Sequence, residues 1–170
     1  MSSRILVDEI HGKTANTSAL TIDSSGQVTL PKIPFAMVNV SGSNNVTPGT
    51  LTGTVPFNNV LSSRGISWNT STYKFTVPVA GLYNFSGAIR LNAHRAYMFW
   101  VVDSPVGTAV QASKIVLTNG DSGTTLTTAC GSFMLSLNTG TEYLIRVGDS
   151  SGSSVGIEPA QTFMDVRLIG

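Results

Sequence analysis

The chain has 170 residues, enough for one domain with a proper core, or one domain plus a short arm. Ten Lys and Arg against nine Asp and Glu leave a formal charge of +1 with no basic block, and only 11% of the residues are charged, so nucleic acid and membrane insertion drop out as expected partners. A hydrophobic fraction of 41% provides enough apolar material to offset chain entropy, which excludes disorder.

In chain order, MSSRILVDEIHGK carries a short apolar run broken by Asp8 and Glu9, a pattern that fits neither a secretory segment nor a membrane span. The expectation is a protein without an export or lipid signal. Ile5, Val7 and Ile10, then Leu20 and Ile22, are the apolar residues of residues 1–33. Asp23-Ser24-Ser25-Gly26 is turn chemistry between two short strands, which predicts a small hairpin arm. Pro31 and Pro34 remove backbone donors where the chain would pass from arm to body, so the boundary is expected between an arm, 1–33, and a head, 34–170.

From Phe35 onward, strand patterns follow one another at 35–40, 54–60, 73–77, 82–91, 97–103, 109–117, 124–137, 143–147 and 162–169, separated by clusters of Gly, Asn, Asp, Ser and Pro. No amphipathic helix of ten residues is apparent. Regular turns and missing helices predict an all-β, two-sheet jelly-roll sandwich. The run Tyr97–Val102 reads as a central strand or a subunit interface rather than an exposed aromatic platform. The single cysteine, Cys130, cannot form an intramolecular disulfide and reads as a small buried apolar residue.

Residues 57–85 carry the strongest local pattern. Phe57, Trp68, Phe75, Gly81, Tyr83 and Phe85 form an ordered aromatic and glycine series, with Pro78 before the glycine. Tyr83 and Phe85 alternate on one strand and so share a face, giving a core cluster with Phe75. This series resembles the globular head of the C1q and tumour-necrosis-factor superfamily, and the strand from Thr162 through Phe163 to Ile169 is similar to the one that ends that head. Ser63 and Gly87 depart from the pattern, the former standing where Asn or Asp is usual and the latter where a further aromatic is common. The resemblance implies a ten-stranded jelly roll that forms a compact homotrimer and acts by binding, with Phe57, Trp68, Phe75, Gly81, Tyr83, Phe85 and Phe163 as its signature core.

No collagen-like triplets precede the head. The leader ILVDEIHGKT…ALTIDSSGQVTL instead resembles the short N-terminal leaders of bacteriophage virion proteins. The expected function is therefore a non-enzymatic homotrimer on the virion surface, as a short tail fibre, knob or capsid decoration. Its arm would join other virion proteins by strand addition through Ile5, Val7, Ile10, Leu20 and Ile22. The alternative is a head whose loops recognise a host-surface glycan.

Gly120-Asp121-Ser122-Gly123 and Gly148-Asp149-Ser150-Ser151-Gly152 look like a serine nucleophile's surroundings. Two copies in a strand-and-turn chain with only His11 and His94 favour turn chemistry over a catalytic triad. No catalytic residue and no cofactor are expected. The one metal alternative is calcium on oxygen ligands from Asp103, Asp121 and Asp149, against the simpler reading of solvated turns.

Overall fold

Regular structure in the computed structural model, which describes residues 9–11, 18–30, 32–47, 53–93, 97–103, 115–118, 126–149 and 153–170, is almost wholly β. Among the described residues, helical structure is confined to one 3-10 turn, Pro159–Gln161. The chain divides into two units, Met1–Ile33 and Pro34–Gly170.

The first unit is organised by its turn. β1 (Glu9–His11), β2 (Ser18–Ile22) and β3 (Val28–Thr29) form an antiparallel sheet in chain order. The Asp23 carboxylate accepts hydrogen bonds from the Ser25 hydroxyl at 2.6 Å and from the N–H groups of Ser25 and Gln27, each at 2.9 Å. The Ser25 hydroxyl, with the backbone donors behind it, holds this carboxyl below the usual aspartate value. The sequence pattern predicted a two-stranded hairpin; β1 adds a third strand, with Ile10 opposite Leu20. Ile22 and Val28 pair across the hairpin and are both exposed. Ile5 and Val7 lie outside the described residues.

The second unit is a sandwich of two sheets, the jelly roll expected from the strand pattern. Its larger sheet contains β4 (Phe35–Asn39), β5 (Asn44–Val46), β7 (Asn59–Arg64), β10 (Gly81–Leu91), β13 (Thr127–Leu137), β15 (Val155–Ile157) and β16 (Phe163–Leu168). The path β13-β10-β16-β4-β7 is antiparallel throughout, with β15 and β5 continuing beside the far end of β10. The smaller sheet runs β12-β11-β14-β9-β8, where β8 is Ser67–Asn69, β9 Lys74–Thr76, β11 Tyr97–Asp103, β12 Ile115–Thr118 and β14 Tyr143–Asp149; β6 (Gly53–Thr54) pairs with β14. The three-residue strands β5, β8 and β15 carry no strand pattern of their own in the sequence. The run Tyr97–Val102 forms most of β11, between β12 and β14.

Alternation places Tyr83, Phe85, Ile89 and Leu91 of β10 inward, where they meet Leu135 and Leu137 from β13, Met164 and Val166 from β16 and Ile145 and Val147 from β14. Rings connect the two sheets. Trp68 stacks on Phe75 at 4.9 Å and meets Phe57 edge-on at 6.0 Å; Phe75 lies 6.1 Å from Phe85 and 5.7 Å from Tyr143, and Phe85 stacks on Phe133 at 5.2 Å. The Trp68 indole N–H donates to the Phe57 carbonyl at 3.0 Å, which fixes the one ring of the series that stays partly exposed.

Gly81 begins a strand rather than forming a left-handed turn. A Cβ there would lie 2.7 Å from both the Gly170 carbonyl oxygen and Leu168 Cδ1. At Gly87, where a further aromatic is common in the resembling heads, a Cβ would run into the Phe163 carbonyl and come 3.1 Å from the Met164 backbone.

Truncation of the fully buried Phe85 to Ala should lower the unfolding free energy by about 3–5 kcal/mol, measured by denaturant titration. Gly87→Val, at a position with no room, should lower the melting point at least as clearly as Gly81→Val. Tyr83 supplies a pH test: its hydroxyl donates to the Val79 carbonyl at 2.9 Å, and burial raises its pKa above 10.0. A raised phenol pKa means that the native state holds its proton longer, so this contribution is complete below pH 10.0 and is lost as pH rises through the native pKa. Alkaline unfolding should therefore begin at higher pH in Tyr83→Phe than in the parent, measured by circular dichroism.

Candidate functional site

The outward positions of the larger sheet form a continuous face whose rows follow from strand register. One row crosses five strands as Met134, Asn84, Arg167, Phe35 and Arg64. The next is Ser132, Ser86, Asp165, Met37 and Ser62, and the third Cys130, Ala88, Phe163, Asn39 and Asn59. Small residues on β10 make a shallow centre. Larger apolar groups flank it: Met134 is 57% exposed, Phe163 49% and Met37 40%.

Charge on this face is held by rings as well as by ions. The guanidinium carbons of Arg64 and Arg167 lie 5.1 and 5.9 Å from the Phe35 ring centroid, within cation–π range. Arg167 also donates to Asp165 Oδ2 at 3.3 Å. The other carboxylate oxygen, Oδ1, is buried and accepts no hydrogen bond among the described residues, and Arg90 Nε on the same face likewise has no acceptor. Buried polar atoms left without partners are uncommon in a finished structure. The face has the mixture of apolar anchors, arginine and small polar groups typical of protein contacts.

Two expected positions change. Phe163 is not a core residue: it shares its face of β16 with Asp165 and Arg167, and Met164 and Val166 point inward instead. Cys130 is exposed, because Ala129, Leu135 and Leu137 take the inward positions of β13 and leave Cys130 beside Ala88 on the outward face. Phe57, Phe75, Tyr83 and Phe85 are buried, with Trp68 packed against them. Nothing in a single strand marks the outward rows as a site; they come together only through the register of strands distant in sequence.

The oxygen-rich loops do not converge in the same way. Asp103 is opposite Leu144, and Asp149 is opposite Met98, at the two ends of the β11–β14 ladder. Five residue steps separate these ends, about 17 Å at ~3.4 Å per residue, too far for both aspartates to hold one cation within a chain. Asp121 lies outside the described residues, as do Ser122, Ser150 and His94, and His11 stands in β1 of the first unit. No group of three or more metal-ligating side chains occurs among the described residues.

No curated protein matches the sequence. The solved structures similar in fold include Eiger TNF from S. frugiperda, with a TM-score of 0.58 and 13% identity over 82% of this chain and 94% of that one. Murine APRIL at pH 8.0 is similar at a TM-score of 0.58, with 11% identity over 81% of this chain and 100% of its own. The globular domain of zebrafish complement 1qA gives 0.55, with 18% identity over 81% of this chain and 98% of that one. At such identities the likeness speaks for the fold. The family model described as C1q domain matches residues 38–164, from β4 into β16, and so covers the aromatic series and both sheets. The chain belongs to the C1q domain family.

Proposed function

We propose that the protein is a non-enzymatic, homotrimeric surface component of a bacteriophage particle, a short tail fibre, knob or capsid decoration. Its head would assemble through the outward face of the larger sheet, and the Met1–Ile33 unit would anchor it to other virion proteins. The observation that carries the assembly is the outward face itself. Half-exposed Met134, Phe163 and Met37 surround small residues, beside a carboxylate oxygen and a guanidinium nitrogen that have no partner among the described residues. A second copy would cover the apolar groups and could supply the missing hydrogen bonds. Three copies is the number that the resemblance to C1q and tumour-necrosis-factor heads implies. The virion assignment is supported by the leader pattern, by the low charge and by a surface rich in Ser, Thr, Asn and Gly. A second reading, a head that binds host-surface glycan, is favoured by a polar cavity on the other sheet.

Light scattering on the purified protein should give three times the chain mass, and a monomer at micromolar concentration would refute the assembly. Met134→Arg combined with Phe163→Arg should yield a folded monomer, because both side chains are exposed in the isolated chain. Cys130 reports on the same face: a maleimide should label it slowly in the parent and rapidly in the double variant. Equal rates would remove this face from the interface.

The anchor is tested by truncation. A chain beginning at Pro34 keeps the hydrogen bond from Leu168 N–H to the Pro34 carbonyl and every strand of the sandwich. It should fold and trimerise but fail to sediment with phage particles lacking the protein, whereas the full chain should sediment with them. Equal incorporation of both would exclude the first unit as the anchor.

A further inference from the structure

The strongest unassigned feature lies on the outward side of the smaller sheet, away from the proposed assembly face. β8 and β9 pair as Ser67 with Thr76, Trp68 with Phe75 and Asn69 with Lys74. Trp68 and Phe75 turn inward to the core, so the other two pairs share the outward side of this hairpin. Glu142, which leads into β14, reaches the same place and accepts a hydrogen bond from Lys74 Nζ at 2.8 Å. These groups line a cavity of about 160 Å³. Its volume is below the roughly 300–1,000 Å³ of sites for drug-sized ligands, and suits one small ring.

The donor set narrows the ligand. The Asn69 side-chain oxygen, Oδ1, accepts from the N–H groups of Ser71 and Thr72, at 2.9 and 3.0 Å, which leaves its side-chain NH₂ as the group free to donate to a ligand. Lys74 adds a donor, Glu142 an acceptor, and the Ser67 and Thr76 hydroxyls can do either. A phosphate or carboxylate would meet Glu142, and an apolar ligand would leave the Asn69 NH₂ and the Ser67 and Thr76 hydroxyls without partners on that side. A neutral polyol, whose hydroxyls donate and accept together, satisfies both signs.

The turn that carries this edge has one unusual residue. Tyr73 has a φ of 61°, a left-handed conformation that a side-chain-bearing residue adopts at a cost, and its N–H donates to the Asn69 carbonyl at 2.8 Å. Strain of this kind persists where the surrounding structure holds it and is concentrated at ligand sites. Glycine would fit that conformation freely. Tyr73 is half-buried and directly precedes Lys74, so the strained residue adjoins the cavity wall in sequence.

We infer that the outward side of the β8–β9 hairpin is a monosaccharide subsite for a neutral sugar: Lys74, Glu142 and Asn69 hold its hydroxyls, with the Ser67 and Thr76 hydroxyls beside them. This rests on the glycan-binding reading and names its place. It does not depend on the trimer.

The test is a titration of isotope-labelled full-length protein with glucose, galactose, mannose and N-acetylglucosamine, followed by NMR. At least one sugar should give saturable shifts confined to the amides of residues 67–76 and the segment around Glu142. Lys74→Met and Glu142→Ala should each weaken the effective sugar about tenfold, with the assembly mass unchanged. Shifts confined to other loops would preserve the glycan-binding reading and overturn this site, and no shift with any of the four sugars would overturn both. Unchanged affinity in Lys74→Met and Glu142→Ala would also overturn the assignment.

Discussion

Phe75 comes from β9 in the smaller sheet, is 1% exposed, and touches rings on both sides of the sandwich. Trp68 and Tyr143 are its neighbours from its own sheet, and Phe85 meets it from the larger one. Each aromatic pair adds about 0.5–1.5 kcal/mol to the burial of its area. The geometry matters more than the sum, because the rings fix how far apart the sheets stand and which way each strand must face. With Phe75, Tyr83 and Phe85 inward, period-two alternation leaves Asn84 and Ser86 of β10 and Ser67, Asn69 and Lys74 of β8 and β9 no direction but outward. The outward surfaces considered for assembly and for sugar are thus consequences of one aromatic contact.

Those two surfaces differ in character because their strands do. The larger sheet presents strands in continuous ladders, broken only by a register shift between β4 and β7 at Met37 and Val38 among the described residues, so its side chains align in rows across five strands and make a broad face. The smaller sheet ends in a short hairpin with a tight turn, where polar side chains and Glu142 enclose a small concave space. Breadth suits a protein partner and concavity suits a small ligand. A C1q-family sandwich can carry both, since neither face contributes to the packing between the sheets.

Much of the fold was legible because its signature residues are large, apolar and regularly spaced. Tyr83 and Phe85 at period two, and Phe75 before a Pro-Val-Ala-Gly turn, leave few packings other than a shared core. The strands β5, β8 and β15 were not legible: Asn44-Asn45 and the Ser-rich stretch before Val155 read as loop, and these segments extend only because a neighbouring strand supplies their hydrogen bonds. Phe163 was misread although the signal was present, for Asp165 and Arg167 share its parity and Met164, Val166 and Leu168 take the other. Cys130 follows the same logic, its parity partners being Ser132 and Ser136. The outward rows could not have been read, because Met134, Asn84, Arg167 and Phe35 become neighbours only when four distant segments are laid in register. Gly87, a departure from the family pattern in sequence, has its reason in the backbone of β16 passing where a side chain would be.

The position of β16 has a consequence for how the molecule is made. It lies between β10 and β4, with Val166 opposite Phe85 on one side and Ala36 on the other, so the middle of the larger sheet is filled by a segment translated long after the strands it joins. Until it arrives, β4 and β10 each present an open edge of unpaired N–H and carbonyl groups able to capture any extended strand nearby. Joining strands so far apart along the chain is also slow, because a large loop must close before the ladder forms. On the ribosome, β4 can pair with β7, and later β10 with β13, before β16 emerges. Synthesis therefore favours two separate ladders first and a closed sheet last, and chains emerging close together on one messenger would be the partners most exposed to mispairing.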